Sequence, residues 1–194
     1  MKLFVKQTFV RVQPIITKGG DLVNSVPADV RIETYVRAKT MEAIEATHKK
    51  VDTALKAGGD AIGAQTVIAT MPGQLPLACN NRLNELFVTN AKIAEPNVAV
   101  KDAGHFSAST DMGDVSHLLP VIHPFIGGVD GFLHTADFHV VDFKHAVLLP
   151  AKAFAMMIVD LLADDAELAR QIKAEHHPLL TKEEYIAKLD KYFQ

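Results

Sequence analysis

Residues 30–59 read VRIETYVRAKTMEAIEATHKKVDTALKAGG and contain the clearest secondary-structure signals in the chain. From residue 30 to residue 37, apolar or β-branched side chains alternate with polar ones, which is the period of a strand covered on one face. Thr40 can cap a helix, and apolar residues then recur at steps of three and four until Gly58-Gly59. The stretch therefore predicts a strand followed by an amphipathic helix.

The sequence on either side of this stretch predicts further short elements. Residues 8–17 are rich in β-branched side chains, and Pro14, which cannot donate to a ladder, indicates an edge strand or a bulge. A third strand is expected at residues 64–70 and a second helix at residues 82–93. Together these elements predict a small open-faced α+β sandwich.

The second half of the chain has a different character. Residues 98–143 combine glycine-rich loops with short apolar runs, and an apolar stretch follows at residues 146–163. Polar residues and a proline interrupt that stretch, so it falls short of the roughly 20 apolar residues that span a bilayer. We therefore expect a buried helix of a soluble protein there. Asp164-Asp165 is typical of a new helix start, and Thr181 opens a last helix with a capping box.

The composition excludes several classes of protein. The chain of 194 residues has 20 Lys+Arg, 23 Asp+Glu and a net charge of −3, without the basic cluster that neutralises nucleic-acid phosphates. The single Cys79 cannot close an intramolecular disulfide, and the first residues do not have the pattern of a secretory signal. We expect a cytoplasmic protein with neither a nucleic-acid nor a membrane partner.

Histidines and aspartates are concentrated in the second half and raise the question of a metal site. Six of the nine histidines lie between residues 105 and 145: His105, His117, His123, His134, His139 and His145. Imidazole and carboxylate ligands suit zinc or manganese, and a catalytic site takes three protein ligands and a water. The spacing, however, matches no compact motif such as His-Glu-x-x-His. Most of these histidines are interpreted as structural, and the residues alone indicate an incomplete metal site.

The other reactive side chains are also interpreted as structural. Cys79 has no basic neighbour in sequence to activate it and is interpreted as a buried thiol. The serines at positions 107, 109 and 116 lack a Gly-x-Ser-x-Gly elbow, so serine catalysis is not expected. His48 and His176-His177 are interpreted as residues at the core edge and at a helix C-terminus.

Several blocks of the sequence resemble the peptidase family M20 amidohydrolases, and in particular the branch of aminobenzoyl-glutamate hydrolase-like proteins. The blocks are RVQPIITKGGDLVNSVPADVRIETYVRA (11–38), LPLACNNRLNELF (75–87), STDMGDVSHLLPVIHPFIGG (109–128), FLHTADF (132–138) and LTKEEYIAKL (180–189). The resemblance implies a ferredoxin-like α+β lid domain at residues 1–95, incomplete at its start, followed by the C-terminal part of an M20-type α/β catalytic domain at residues 96–194.

The resemblance also implies a reaction and its residues. In the family, two metal ions, usually zinc and sometimes manganese, activate a water that a glutamate deprotonates for attack on an amide carbonyl. His134 matches the last metal ligand of the family. Asn24 and Arg37, thirteen residues apart, match the pair that holds the substrate carboxylate or the tetrahedral intermediate. Asp111 is expected to anchor a helix N-terminus and not to bind metal.

This sequence departs from the family pattern in two respects. The His-x-Asp and Glu-Glu motifs that precede the lid in the family, and that supply the remaining ligands and the general base, do not occur upstream of the lid blocks here, and Gln13 stands where many relatives have histidine. We therefore expect the C-terminal half of an amidohydrolase, inactive alone, that forms a homodimer through the lid and acts on a small amide. The alternatives are a non-catalytic dimerisation or interaction module, or one half of a split enzyme whose N-terminal half is a separate chain.

Overall fold

The computed structural model describes residues 9–102, 104 and 109–191 of the chain. By internal packing these residues form two compact units. The first comprises residues 9–76 and residue 109, and the second comprises residues 77–102, 104 and 110–191. His105, Ser107 and the expected start of the lid before residue 9 lie outside the described residues.

The first unit consists of a two-stranded antiparallel sheet and one long helix. Strand β1 spans Arg11–Lys18 and strand β2 spans Arg31–Arg37, with Val12 opposite Val36 and Ile16 opposite Ile32. Pro14, where the sequence predicted an edge strand or a bulge, pairs with Thr34 in this two-stranded sheet, and the register shifts further along, between Ile16 and Lys18. Helix α1, Met41–Ala61, begins after Thr40, whose hydroxyl accepts a hydrogen bond from the Ala43 N–H at 3.3 Å.

Two predictions in the first unit are wrong. Helix α1 does not stop at Gly58-Gly59 but runs on to Ala61. The chain then folds back over the helix end, where the Ala64 N–H donates to the Gly59 carbonyl at 2.9 Å. A Cβ at Gly59 would collide with the Thr66 hydroxyl, so glycine here permits close packing. The predicted third strand is absent, because residues 64–70 pair with no other strand among the described residues.

The second unit is organised around two helices that pack against each other. Helix α2 spans Asn81–Ala94 and helix α4 spans Leu149–Glu175. Their contact is the main hydrophobic core, made of Leu83, Phe87, Ala91, Leu149, Ala153, Met157 and Ile172. The Asn80 side chain caps α2 by accepting from the Leu83 N–H at 3.1 Å. Helix α2, which the sequence assigned to the lid, therefore lies in the second unit by its packing; the domain boundary at 95/96 stays a prediction.

The apolar stretch after residue 143 is helical, but it is less buried than the sequence predicted. A π-helical turn, Lys144–Leu148, leads into α4, of which Leu149, Ala153 and Met157 are buried while most other side chains before residue 163 are partly or fully exposed. The span Lys144–Glu175 is long and apolar enough to cross a membrane by length and composition, and 17% of its most apolar window is buried. Core helices of soluble proteins pass the same test, so the expected location stays a prediction.

Helix α4 is interrupted where the sequence predicted a new helix start. Asp164, Asp165 and Ala166 have left-handed backbone angles, with φ of 48°, 58° and 59°. Beyond the break, Arg170 pairs with the Asp165 carboxylate at 3.1 Å. Two short helices complete the unit: α3, Met112–Ser116, and α5, Lys182–Asp190. The predicted capping box of α5 is confirmed, because Thr181 and Glu184 exchange side-chain to backbone hydrogen bonds.

Candidate functional site

His134 lies in a tight turn of the second unit. Two-residue strands, β3 at Val129–Asp130 and β4 at His139–Val140, pair antiparallel on either side of this turn. Gly131 has φ of +85°, and a Cβ there would lie 2.5 Å from the Asp137 carbonyl oxygen. Glycine is therefore required for the turn to close. His134 itself has φ of +67°, which is uncommon for a residue with a side chain.

Hydrogen bonds from Thr135 hold this turn in place. Its N–H and its hydroxyl both donate to the Phe132 carbonyl, at 3.2 Å and 2.6 Å, and its hydroxyl also contacts the Asp137 carboxylate. The Phe138 N–H donates to the Thr135 carbonyl at 3.3 Å. The turn thus has a defined backbone and leaves the residue His134 exposed. An exposed imidazole on a fixed turn is free to reach a ligand that approaches from solvent.

The histidines that follow His134 have partners of their own. The His139 Nδ1 lies 2.6 Å from the Asp137 carbonyl oxygen. The His145 Nδ1 lies 2.5 Å from a carboxylate oxygen of Asp142, whose other oxygen accepts from the His145 N–H at 3.2 Å. Hydrogen bonding from His145 holds the pKa of the Asp142 carboxyl below its ordinary value. The Asp142–His145 contact is a cap of the helical turn that follows.

The block around α3 is structural in this fold. His117 is buried, as expected, and its carbonyl accepts from the Leu180 N–H at 3.0 Å, which ties α5 to this region. The buried Ser116 hydroxyl donates to the Gly113 carbonyl at 2.5 Å and accepts from the Ala78 N–H at 3.0 Å. A serine with both functions engaged in this way positions two backbone segments and is not poised for nucleophilic attack.

Three further expectations for this unit can be compared with the structure. Asp111 occupies the N-cap position of α3, but its side chain makes no capping bond; the Thr110 hydroxyl accepts from the Met112 N–H at 3.4 Å. His123 packs edge-on against Phe125, with ring centroids 5.5 Å apart, and its Nε2 lies 3.4 Å from the Thr110 hydroxyl. Cys79 is half-buried, so its thiol is less enclosed than expected.

His176 occupies the predicted C-cap position of α4, His177 follows it as an exposed residue, and His48 is half-buried. His48, on α1, lies 3.4 Å from the Asp52 carboxylate one helical turn away. His176 is the C-cap residue of α4, and its N–H donates to the Ile172 carbonyl at 3.1 Å. Both contacts are local to a helix and need no ligand.

Asn24 and Arg37 lie in the first unit. Asn24 is exposed in a turn in which the Ser25 N–H donates to the Leu22 carbonyl at 3.3 Å. Arg37 ends β2 and is half-buried, and its guanidinium carbon lies 4.9 Å from the ring centroid of Tyr35. A cation at this distance is attracted to the ring face, so Tyr35 orients Arg37. Sequence reasoning did not single out Tyr35, although residues two apart in a strand share a face.

The three residues singled out from the sequence therefore fall in different units. Asn24 and Arg37 belong to the first and His134 belongs to the second. Among residues 9–102, 104 and 109–191, no three His, Cys, Asp or Glu side chains form a group that could hold a metal ion. The described donor set does not amount to a complete catalytic metal site, which usually takes three protein ligands.

Comparison with known proteins reveals two similar curated sequences, both named Xaa-Arg dipeptidase. The protein from Mus musculus is 30% identical over 166 residues, which is 81% of this chain and 38% of the mouse protein. The protein from Homo sapiens is 26% identical over 184 residues, which is 91% of this chain and 42% of the human protein. This chain therefore spans about two-fifths of the length of the curated relatives it matches.

Searches with family models and against solved structures give no match. The similarity to the two dipeptidases nevertheless covers most of both units and identifies the relatives of this chain as peptidases, which are hydrolases of amide bonds. The chain is thus similar in sequence to peptidases, and its own family and branch are a matter of proposal.

Proposed function

We propose that this chain is part of a metal-dependent amidohydrolase of peptidase family M20. The substrate would be a small N-acyl amino acid, a dipeptide or an aminobenzoyl-glutamate-like amide. The observation that carries the proposal is the similarity to the two Xaa-Arg dipeptidases, which covers at least 81% of the chain. The sequence blocks that resemble the aminobenzoyl-glutamate hydrolase-like branch support the finer assignment.

The proposed roles follow from the chemistry of the side chains. Arg37 offers a planar, two-pronged donor to a substrate carboxylate, and its position over Tyr35 reduces the rotational freedom it loses on binding. Asn24 offers an amide donor to the oxygen that becomes negative during attack on the carbonyl. His134 presents an exposed imidazole on a turn with a defined backbone.

A bound zinc or manganese ion would supply Lewis acidity and an activated water. Only one ligand, His134, is assigned from this chain, and the described residues do not fit a complete metal site. The proposal therefore takes the other ligands and the glutamate base from a further polypeptide segment. The assembly would be cytoplasmic, with a homodimer formed through the lid.

Activity measurements with and without a complementing polypeptide test this proposal. The 194-residue chain with zinc or manganese is expected to show no turnover of Xaa-Arg dipeptides, N-acetyl amino acids or aminobenzoyl-glutamate. The DNA upstream of the first codon is then read for a segment with His-x-Asp and Glu-Glu motifs, and that segment is expressed and mixed with the chain. Hydrolysis is expected from the mixture.

Variants of this chain, assayed in the same mixture, test the roles assigned to its residues. His134→Ala should abolish turnover, and Arg37→Gln should raise KM for substrates with a free carboxylate. His177→Ala is the matched control, because His177 is also exposed but has no assigned role. Turnover that is indifferent to His134→Ala would overturn the assigned site. A stable complex without any hydrolysis would favour the non-catalytic interaction module.

A further inference from the structure

Asp130 is followed by Gly131 where strand β3 enters the turn that carries His134, and this is the one Asp-Gly or Asn-Gly step in the sequence. Both residues are exposed. The Gly131 N–H donates to the Asp130 side-chain oxygen Oδ1 at 2.8 Å. Because Oδ1 is bonded to Cγ, this local hydrogen bond keeps the backbone nitrogen beside the carboxyl carbon of the preceding side chain.

The residue that follows Asp130 leaves this nitrogen accessible. Gly131 has no Cβ in front of its amide, and its φ of +85° lies in the left-handed region that glycine adopts without strain. Asp137, in the same turn, is the contrasting case, because the bulky Phe138 follows it and its carboxylate contacts the Thr135 hydroxyl. The geometry therefore favours attack by a backbone nitrogen at Asp130 and not at Asp137.

The strands beside the turn hold Asp130 weakly. Strands β3 and β4 pair only Val129 with Val140 and Asp130 with His139, and all four residues are exposed. A short, exposed ladder opens locally at a low cost in free energy. The peptide plane after Asp130 can then rotate to bring the nitrogen onto the carboxyl carbon.

We propose that Asp130-Gly131 is a self-modification site, at which the chain forms an isoaspartyl linkage through a cyclic succinimide. First, the Gly131 nitrogen bonds to Cγ of the protonated Asp130 carboxyl, and the carboxyl hydroxyl group leaves with the amide proton as water. Water then adds to the ring. Its hydroxyl group joins the main-chain carbonyl carbon of Asp130, the bond from that carbon to the nitrogen breaks, and the nitrogen takes the remaining proton. The conversion needs no reagent except water.

The isoaspartyl linkage is incompatible with the geometry of the turn. It routes the backbone through Cβ and Cγ and so adds one carbon–carbon bond, about 1.5 Å. The turn has no space for this addition, because even a Cβ at Gly131 would lie 2.5 Å from the Asp137 carbonyl oxygen. The modified chain therefore loses the pairing of Asp130 with His139 and the placement of His134. This inference goes beyond the proposed hydrolase and holds whether or not His134 binds a metal.

Peptide mapping of the full chain, aged at neutral pH in water labelled with 18O, tests the site. A protease that cleaves before aspartate, but not before isoaspartate, separates residues 114–129 from residues 130–136 in the unmodified chain. The aged chain is expected to yield in addition an uncleaved 114–136 peptide that has gained one 18O atom. The bond before Asp137 is the internal control and should be cleaved fully. Absence of the uncleaved peptide, or its presence without the label, would overturn the proposal.

A conservative substitution tests the chemistry of ring closure. Asp130→Glu keeps the charge but moves the carboxyl carbon one methylene further from the Gly131 nitrogen, so the five-membered ring cannot form. Uptake of 18O into the tryptic peptide 102–144 is expected to disappear. Asp102→Glu, at an exposed position of the same peptide outside the turn, is the control and should keep the uptake. Equal uptake by both variants would refute the assignment to Asp130, and the mapping of the unmodified chain decides even if Asp130→Glu fails to fold.

NMR of the 15N-labelled chain tests the structural consequence. As the chain ages, a second set of amide signals is expected for His139 and Val140, growing in step with the labelled 114–136 peptide. Accumulation of that peptide with one unchanged set of signals would overturn the predicted loss of the turn. None of these measurements depends on turnover, so a failure of the proposed hydrolase and a failure of this inference are separate results.

Discussion

Helices α1 and α2 have similar amphipathic patterns and similar N-caps, but they contribute differently to the fold. Thr40 caps α1 and Asn80 caps α2 through side-chain oxygens. None of the 21 residues of α1 is buried, whereas the 14 residues of α2 include four buried ones. The difference lies in the partner, because α1 packs on a two-stranded sheet and α2 packs on another long helix. An apolar stripe predicts a helix, and its partner decides how much stability it adds.

The largest expected effect follows from that difference in burial. Phe87→Ala should lower the free energy of unfolding of the second unit by about 3 kcal/mol, since it empties a site in the α2–α4 core. Val51→Ala, on the half-buried stripe of α1, should cost about 1 kcal/mol. Hydrogen exchange of the α2 and α1 amides measures the two changes separately. Equal effects would contradict the comparison.

The next effect concerns a part-buried polar link between α2 and α4. Asn90 is 1% exposed, and its Nδ2 donates to the Asp160 carboxylate at 2.7 Å and to the Leu86 carbonyl at 3.1 Å. Asp160→Ala should cost about 1 kcal/mol, because one of these two hydrogen bonds remains. Glu85→Ala, which removes an exposed carboxylate from α2, serves as the control. The measurement is the urea midpoint, and equal shifts for both variants would exclude a specific role for the link.

An equal or smaller effect is expected at the helix caps. Thr181→Ala should cost about 1 kcal/mol, because it removes the hydroxyl that accepts from the Glu184 N–H at 3.1 Å within a reciprocal box. Thr40→Ala should cost about half of that, since its single bond to the Ala43 N–H is longer, at 3.3 Å. Exchange rates in the first turn of α5 and α1 report both. A larger effect at Thr40 would reverse the expected order.

The smallest effect is a pH dependence at the start of the apolar helix. The pKa of the Asp142 carboxyl is lowered in the folded chain, chiefly by the hydrogen bond from His145. The contact therefore adds stability above the ordinary pKa near 3.8 and loses it as the pH falls through the lower folded value. His145→Ala should raise the Asp142 pKa in a carboxyl NMR titration. The Asp29 pKa, lowered by Arg31 and Lys18, should stay unchanged as the control.

The candidate site was predictable to different degrees. Asn24, Arg37 and His134 were singled out only because their sequence blocks resemble a known family, since neither their spacing nor their charge distinguishes them. The pairing of Val12 with Val36 and of Ile16 with Ile32 could not be predicted in the same way, because it depends on the strand register. That register shifts between Ile16 and Lys18, so alternation along one strand does not predict it.

The sequence by itself determined the features that depend on near neighbours in the chain. The β1 and β2 strands, the caps at Thr40 and Thr181, and the break of α4 at Asp164-Asp165 all follow from local periodicity and capping chemistry. These signals act over a few residues, so they are present before any tertiary contact forms.

The tertiary structure alone decided the features that need a distant partner. Residues 64–70 have the composition of a strand but pair with no strand in the described part of the chain. The apolar stretch at residues 146–163 is buried on one face and exposed on the other. The cross-strand pairs Val12/Val36 and Ile16/Ile32 likewise exist only because β1 and β2 come together in one register. Strand pairing and side-chain burial depend on partner strands and helices that are distant in the sequence. A local pattern does not specify which of these partners will pack against a given segment.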